Sequence, residues 1–206
     1  MRIWTTMRDH VGFVNKLKGK RRTTTTTRHL PEITEPAVFS FPVIGKLPPD
    51  AGTLKKRVPN NANSLNLKGI PYEVKTVNIW KKDEHLTPEY REINPMQQVP
   101  ALRIDGRTLI DSISIMHYLE ETRPEHPLLP SDPGDRAKVR EIISVIASGI
   151  QPLQNVAVLQ LLPEEERVQW AQRCINKGFT ALEKLLANSA GKYCFGDSIS
   201  IADCCL

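Results

Sequence analysis

Few residues in this chain have types and spacings that point to chemistry. The four cysteines (Cys174, Cys194, Cys204, Cys205) all fall in the last third, with no Cys-x-x-Cys spacing and no His pair beside them. A zinc centre or a disulfide framework is therefore not expected, and a reduced intracellular setting fits. His85 stands alone, and a lone histidine is more often a surface residue than a ligand. Asp111–Ser112 precedes an apolar-periodic run and opens a helix, a cap in any fold. The Lys18–Gly19–Lys20–Arg21–Arg22 cluster has the composition of a nuclear-localisation or nucleic-acid patch.

That basic cluster belongs to a tail. Residues 1–30 carry eight basic side chains against Asp9 alone, a net of +7, so with a total of +5 the rest of the chain stands near −2. A nucleic-acid-binding fold is not indicated. The tail is poor in acids and contains Arg and Thr, as a mitochondrial transit peptide does. The favoured reading is a basic, low-complexity, solvated extension over residues 1–35, with Thr23–Thr27 as its simplest stretch. Prolines at 31, 36, 42, 48, 49 and 59 keep most of residues 1–63 out of helices and central strands. Ala37–Phe41 is the one strand candidate there.

Overall, 206 residues with 40% apolar and 25% charged side chains suffice for one larger or two small domains. No run reaches the ~18 consecutive apolar residues of a membrane span, and no secretory h-region is seen. Tyr72–Ile79 alternates apolar and polar residues, the period of a half-buried strand. Asn94–Pro100 reads as a loop, since residues before proline avoid helical geometry. Ala101–Ile104 and Arg107–Ile110 flank Asp105–Gly106, a strong hairpin signal. A helix follows from Asp111–Ser112 to about Glu121, with Ile113, Met116 and Leu119 on its apolar face.

The remainder reads as helical. Asp132–Pro133–Gly134–Asp135 caps a helix burying Val139, Ile142, Ile143 and Ile146. Pro163–Glu166 opens another, expected to bury Val168, Ala171, Ile175, Phe179, Leu182 and Leu186. Ser200–Ile201–Ala202–Asp203 resembles a capping box, with Ile199 and Cys204 placed for a hydrophobic staple. This last helix has barely begun at Leu206, which suggests truncation.

The order of strand, Val-Pro hairpin, Asp-Ser helix and helical part with a Gly-Asp-x-x-Ser-x-Ala-Asp box resembles the cytosolic glutathione transferases. Leu67–Glu73, Asn94–Pro100, Tyr118–Pro124, Gly149–Asn155 and Gly196–Asp197 resemble the zeta class, the maleylacetoacetate isomerases, over about residues 64–206. The resemblance implies an α/β plus all-α architecture. An incomplete thioredoxin-like glutathione-binding domain would occupy 36–124, followed by a truncated helical glutathione-transferase C-terminal domain over 131–206. It implies glutathione as cofactor, a homodimer, and as substrate maleylacetoacetate or a related α-halo or keto acid, converted by cis–trans isomerisation in phenylalanine and tyrosine breakdown. No metal, nucleic-acid or membrane partner is expected. The implied compartment is the cytosol, with the mitochondrion left open by the tail.

By the same resemblance, Val99, ahead of a cis Pro100, pairs like a strand edge with the cysteinyl part of glutathione. Asp111 and Ser112 meet the γ-glutamyl ammonium and carboxylate at a helix N-terminus. The zeta class commonly has Gln where Asp111 stands. His85 lies near the glycine end, and Gln151 and Asn155, four apart on one helical face, border the site from the helical domain. Zeta enzymes carry a Ser-Ser-Cys motif after the first strand, and none exists here. Ala37–Phe41 resembles that first strand, with Ser40 inside it and residues 42–63 replacing the catalytic loop and most of the first helix. No catalytic residue is assigned. The alternatives are a non-catalytic glutathione-transferase-like binding module or an inactive truncated variant.

Overall fold

A computed structural model describes residues 37–42, 60–79 and 83–206. The expectations for residues 1–35, including the basic cluster and the transit-like composition, lie outside the described residues. So does most of the segment expected to replace the catalytic loop. The described residues fall into two compact units that divide between Glu125 and His126.

The first unit holds a four-stranded mixed sheet in the order β2-β1-β3-β4. Strand β1 (Ala37–Pro42) is central. It pairs in parallel with β2 (Tyr72–Val77) and antiparallel with β3 (Ala101–Ile104), which continues through a hairpin into β4 (Arg107–Ile110). Asp105 (φ 53°) and Gly106 (φ 68°) both occupy the left-handed region the Asp-Gly hairpin signal requires. Helix α1 (Asn60–Leu67) connects β1 to β2, and α3 (Ser112–Thr122) follows β4. Between β2 and β3 lie a 3₁₀ turn (Glu84–Leu86) and the short helix α2 (Pro88–Ile93), capped by the Thr87 hydroxyl. This is the thioredoxin-like arrangement the family resemblance implies. Ala37, Ala62, Leu65, Leu102, Ile104, Ile115 and Leu119 form its core.

Two sequence expectations need correction here. Residues 60–63 are helical, not coil. Asn-rich NNANSLNL is a weak helix former, and the helix is held by burial of Ala62, Ser64 and Leu65. Strand β2 ends at Val77 and is not half-buried by alternation: Val74 is 49% exposed. The cause is its edge position: among the described residues it pairs only with β1.

The second unit is helical. Helix α4 (Pro133–Gly149) is capped by the Asp132 carboxylate, which accepts from the Asp135 N–H at 2.9 Å. Val139, Ile142, Ile143 and Ile146 are buried as their spacing predicts, against α6 (Glu164–Ser189) and α7 (Ile201–Cys205). A 3₁₀ turn (Pro152–Gln154) and the one-turn α5 (Val156–Leu159) link α4 to α6. In α6 the expected apolar face is only partly covered, with Ala171, Ile175, Phe179 and Leu186 half-buried. Leu182 and Gly178 are buried, whereas Val168 is 66% exposed. Periodicity selects a face but not how much of its length a neighbour covers.

At α7, Asp203 does what Glu does in the commoner box. Its Oδ2 accepts from the Ser200 N–H (2.7 Å) and hydroxyl (2.8 Å), and its Oδ1 accepts from the Cys194 N–H at 2.9 Å. Cys194 is buried, which pushes its thiol well above the ordinary range, so it is a packing residue and not a nucleophile.

Two stability predictions follow from this packing. A Cβ on Gly178 would overlap Cγ1 of Ile150 and lie 2.7 Å from its Cδ1. Gly178→Ala should therefore destabilise by about 1–3 kcal/mol despite the better helix propensity. In an Ile150→Ala background the same change should cost little, and equal costs in chemical denaturation of the two backgrounds would refute the clash. In the first unit, Arg123 donates to both Asp105 oxygens at 2.6 Å and Tyr118 donates at 2.7 Å. The Arg123 hydrogen bonds hold the Asp105 carboxyl below its ordinary value. Its stabilisation is thus complete above the unfolded carboxyl value and lost as pH falls through the lowered folded one. The Tm gap between the wild type and Asp105→Asn should be widest near neutrality and close below about pH 4.

Candidate functional site

The register of the sheet determines which loops meet. Ser40 pairs with Ala101, Ala101 pairs with Ile110, and Pro42 pairs with Val77. The C-terminal ends of β1, β2 and β4 and the start of β3 therefore share one end of the sheet. In sheets with parallel strands this is the end where ligands bind. Val99–Pro100 immediately precedes β3 and Asp111–Ser112 immediately follows β4, so the hairpin sets the two pairs side by side.

The Val99–Pro100 peptide bond is cis. The loop before it is built on a buried amide. Asn94 Nδ2 donates to the Gln98 carbonyl at 2.7 Å, and its Oδ1 accepts from the Met96 N–H at 2.9 Å. Tyr90, placed by α2, donates its hydroxyl to the same Gln98 carbonyl at 2.9 Å. Burial pushes the Tyr90 hydroxyl up to about 12, so it remains a donor at physiological pH. Among the described residues no hydrogen bond engages the N–H or C=O of Val99. Nothing in the sequence marks Asn94 and Tyr90 as the loop's organisers. Asn-Pro marked the turn without revealing what the amide holds.

Asp111 is the N-cap of α3. Its Oδ1 accepts from the Ser114 N–H at 2.9 Å and from the Ser114 hydroxyl at 3.0 Å, which leaves Oδ2 outside those bonds. Its backbone has φ 70° and ψ 129°, a region that favours glycine and costs a non-glycine residue of order 1–3 kcal/mol. Ser112 opens the helix, where first-turn N–H groups and the positive dipole end suit an anion.

His85 lies in the Glu84–Leu86 turn, and that turn is tied to the end of β2. The Asn78 N–H donates to Glu84 Oε2 at 2.7 Å, and the Glu84 N–H donates to the Asn78 carbonyl at 3.0 Å. His85 is thereby anchored at the same end of the sheet as Val99 and Asp111, and its Nδ1 is buried without a partner among the described residues.

Gln151 and Asn155 belong to the second unit, and both are exposed. They do not share a helical face. Gln151 is helical in backbone, but Pro152–Gln154 is a 3₁₀ turn and Asn155 is extended (ψ 144°). Asn155 Oδ1 accepts from the Ala157 N–H at 3.1 Å and starts α5. A spacing of four gives a shared face only in a continuous α-helix, and the 3₁₀ turn with its break at Asn155 interrupts it. Among the described residues no group of three or more His, Cys, Asp or Glu is placed to hold a metal, and no helix is long and apolar enough to cross a membrane.

Residues 63–122 match the description "Glutathione S-transferase, N-terminal domain" and residues 154–206 match "Glutathione S-transferase, C-terminal domain". A bacterial maleyl pyruvate isomerase, described as a zeta-class glutathione S-transferase, is 39% identical with a TM-score of 0.64, covering 68% of this chain and 70% of that one. The chain belongs to the glutathione S-transferase family. Within it the likeness is to the zeta class. A probable maleylacetoacetate isomerase of Drosophila melanogaster is 61% identical over 145 residues, covering 69% of this chain and 63% of its own. The chain thus spans less than two thirds of that relative's length. The maleylacetoacetate isomerase of Methylobacterium extorquens AM1, solved with malonate and GSH bound, is 38% identical with a TM-score of 0.64 over 69% of this chain and 70% of that one.

This glutathione S-transferase chain carries a glycine-like backbone at Asp111. Asp111→Ala should destabilise by about 0.5–2 kcal/mol through loss of the cap. Asp111→Gly loses the same carboxylate but relieves the strained φ, so it should be at least 1 kcal/mol more stable than the alanine variant. Urea denaturation showing the two to be equal would refute strain at this position.

Proposed function

We propose that this chain binds glutathione and belongs to a maleylacetoacetate isomerase, acting as a homodimer in the cytosol in phenylalanine and tyrosine breakdown. Its reaction is the glutathione-dependent cis–trans isomerisation of maleylacetoacetate to fumarylacetoacetate. The observation that carries this reading is the meeting, at one end of the sheet, of an unengaged Val99 backbone edge and the Asp111-capped N-terminus of α3.

The residues present fit the tripeptide. The Val99 N–H and C=O are disposed to pair with the cysteinyl backbone as a strand edge does. The free Oδ2 of Asp111 takes the γ-glutamyl ammonium, and Ser112 with the α3 N-terminus takes the γ-glutamyl carboxylate. The orphaned Nδ1 of His85 is a polar group that a ligand's glycine end would satisfy. When bound, glutathione supplies the sulfur nucleophile. The chain's own work is to orient it and to hold its two charged ends.

A second reading rests on the absence of Ser-Ser-Cys from the sequence. A free thiol ionises near 8.5, and a nearby donor or helix N-terminus is what makes thiolate abundant at neutral pH. Without that donor the chain is a glutathione-binding module that does not turn over.

Calorimetric titration of reduced glutathione into the purified chain separates these readings. Saturable binding is expected, weakened about tenfold in Asp111→Asn by loss of one charge-assisted bond. Binding with conversion of maleylacetoacetate establishes the isomerase, and binding without conversion establishes the module. Absence of binding refutes both.

A further inference from the structure

Helix α3 carries a device at its other end that the site itself does not use. Lys68, directly after α1, and Glu120, on α3, form an ion pair at 2.7 Å, with side chains 1% and 5% exposed. The same ammonium donates to the Arg123 carbonyl at 2.8 Å, just past the end of α3. Arg123 in turn is bonded through both guanidinium ends to Asp105 in the β3–β4 turn. The C-terminus of α3 is thereby joined to both α1 and the hairpin by directional bonds.

Burying two opposite charges is a poor way to gain stability. Their desolvation roughly offsets their attraction, and a well-packed apolar pair is often as stable or more so. What the pair adds is position. The apolar contacts between α1 and α3, through Ala62, Leu65, Ile115 and Leu119, hold the helices together but are non-directional and tolerate sliding. One ammonium bonded to both a side chain of α3 and the carbonyl of its C-cap residue does not. An 11-residue helix moves as a rod about 16 Å long, so an axial shift at Glu120 arrives undiminished at Ser112.

We propose that the buried Lys68–Glu120 pair sets the axial register of α3, and through it places Asp111 and Ser112 for the γ-glutamyl end of glutathione. These are positioning residues and touch no ligand. The inference rests on the glutathione-binding reading above.

The test is glutathione affinity measured beside thermal stability on the full chain. In K68M/E120L, which replaces both charges with apolar side chains, cooperative unfolding should persist with a Tm within a few degrees of the wild type, while Kd rises at least tenfold. E120Q, which keeps an acceptor oxygen near the ammonium, should show the opposite: a lowered Tm and a Kd within about threefold of the wild type. A double variant that binds as tightly as the wild type, or one that loses cooperative unfolding, overturns the register role. An E120Q protein that loses affinity as fully as the double variant overturns it too. Failure of the wild type itself to bind glutathione refutes the underlying reading, and so is distinct from any of these outcomes.

Discussion

The two backbone ladders of β1 are the constraint on which the N-terminal unit rests. Among the described residues, strand β2 pairs only with β1, and the β3–β4 hairpin joins the sheet only through it. These bonds run between main-chain groups, so they tolerate unusual side chains so long as the strand conformation is kept. A six-residue segment set among prolines can therefore occupy the centre of the sheet. Pro42 stands at the strand's last position, beyond the Val38–Ser40 span that pairs with β3. Once β1 is in place, its register aligns the ends of four strands, and every candidate ligand contact of the first unit hangs from that aligned end.

The features legible in the sequence were those whose cause is local. Asp105–Gly106 specifies its hairpin because both turn residues must adopt positive φ. Asp111, Asp132 and Ser200–Asp203 mark helix starts because a short oxygen-bearing side chain reaches N–H groups two or three residues away. What could not be read arises from partners distant in the chain. Helix α1 has a sequence that argues against it, and it forms because Ala62, Ser64 and Leu65 are buried. Val168 looks apolar and correctly spaced, yet it is 66% exposed.

The same division runs through the site. Val99–Pro100 and Asp111–Ser112 were visible as a pre-proline edge and a cap, and the hairpin that brings them together was visible too. The anchoring of His85 was not, because it passes through Glu84 reaching back to Asn78, across residues with no periodic signature. Gln151 and Asn155 show the opposite error. A spacing of four implies a shared face only in an unbroken α-helix, and Pro152 with Asn155 breaks it. The Lys68–Glu120 pair was equally hidden, since two charged residues 52 positions apart in the numbering carry no sign that they will be buried against each other.

Recognition and activation of a thiol make separate physical demands. Recognition needs an edge of free backbone groups and a helix N-terminus facing a carboxylate, roles that the proposed reading gives to Val99 and the N-terminus of α3 in one contiguous stretch of sequence. Activation needs a donor placed at the sulfur itself, and in the zeta pattern that donor comes from a different stretch of chain, after the first strand. A helix N-terminus loses its influence within about one turn, so under the proposed reading the N-terminus of α3, assigned to the γ-glutamyl end, cannot also stand in for that donor at the sulfur. Binding strength and thiolate supply thus vary independently in this architecture, and an intact recognition segment is compatible with either a working isomerase or a pure binding module.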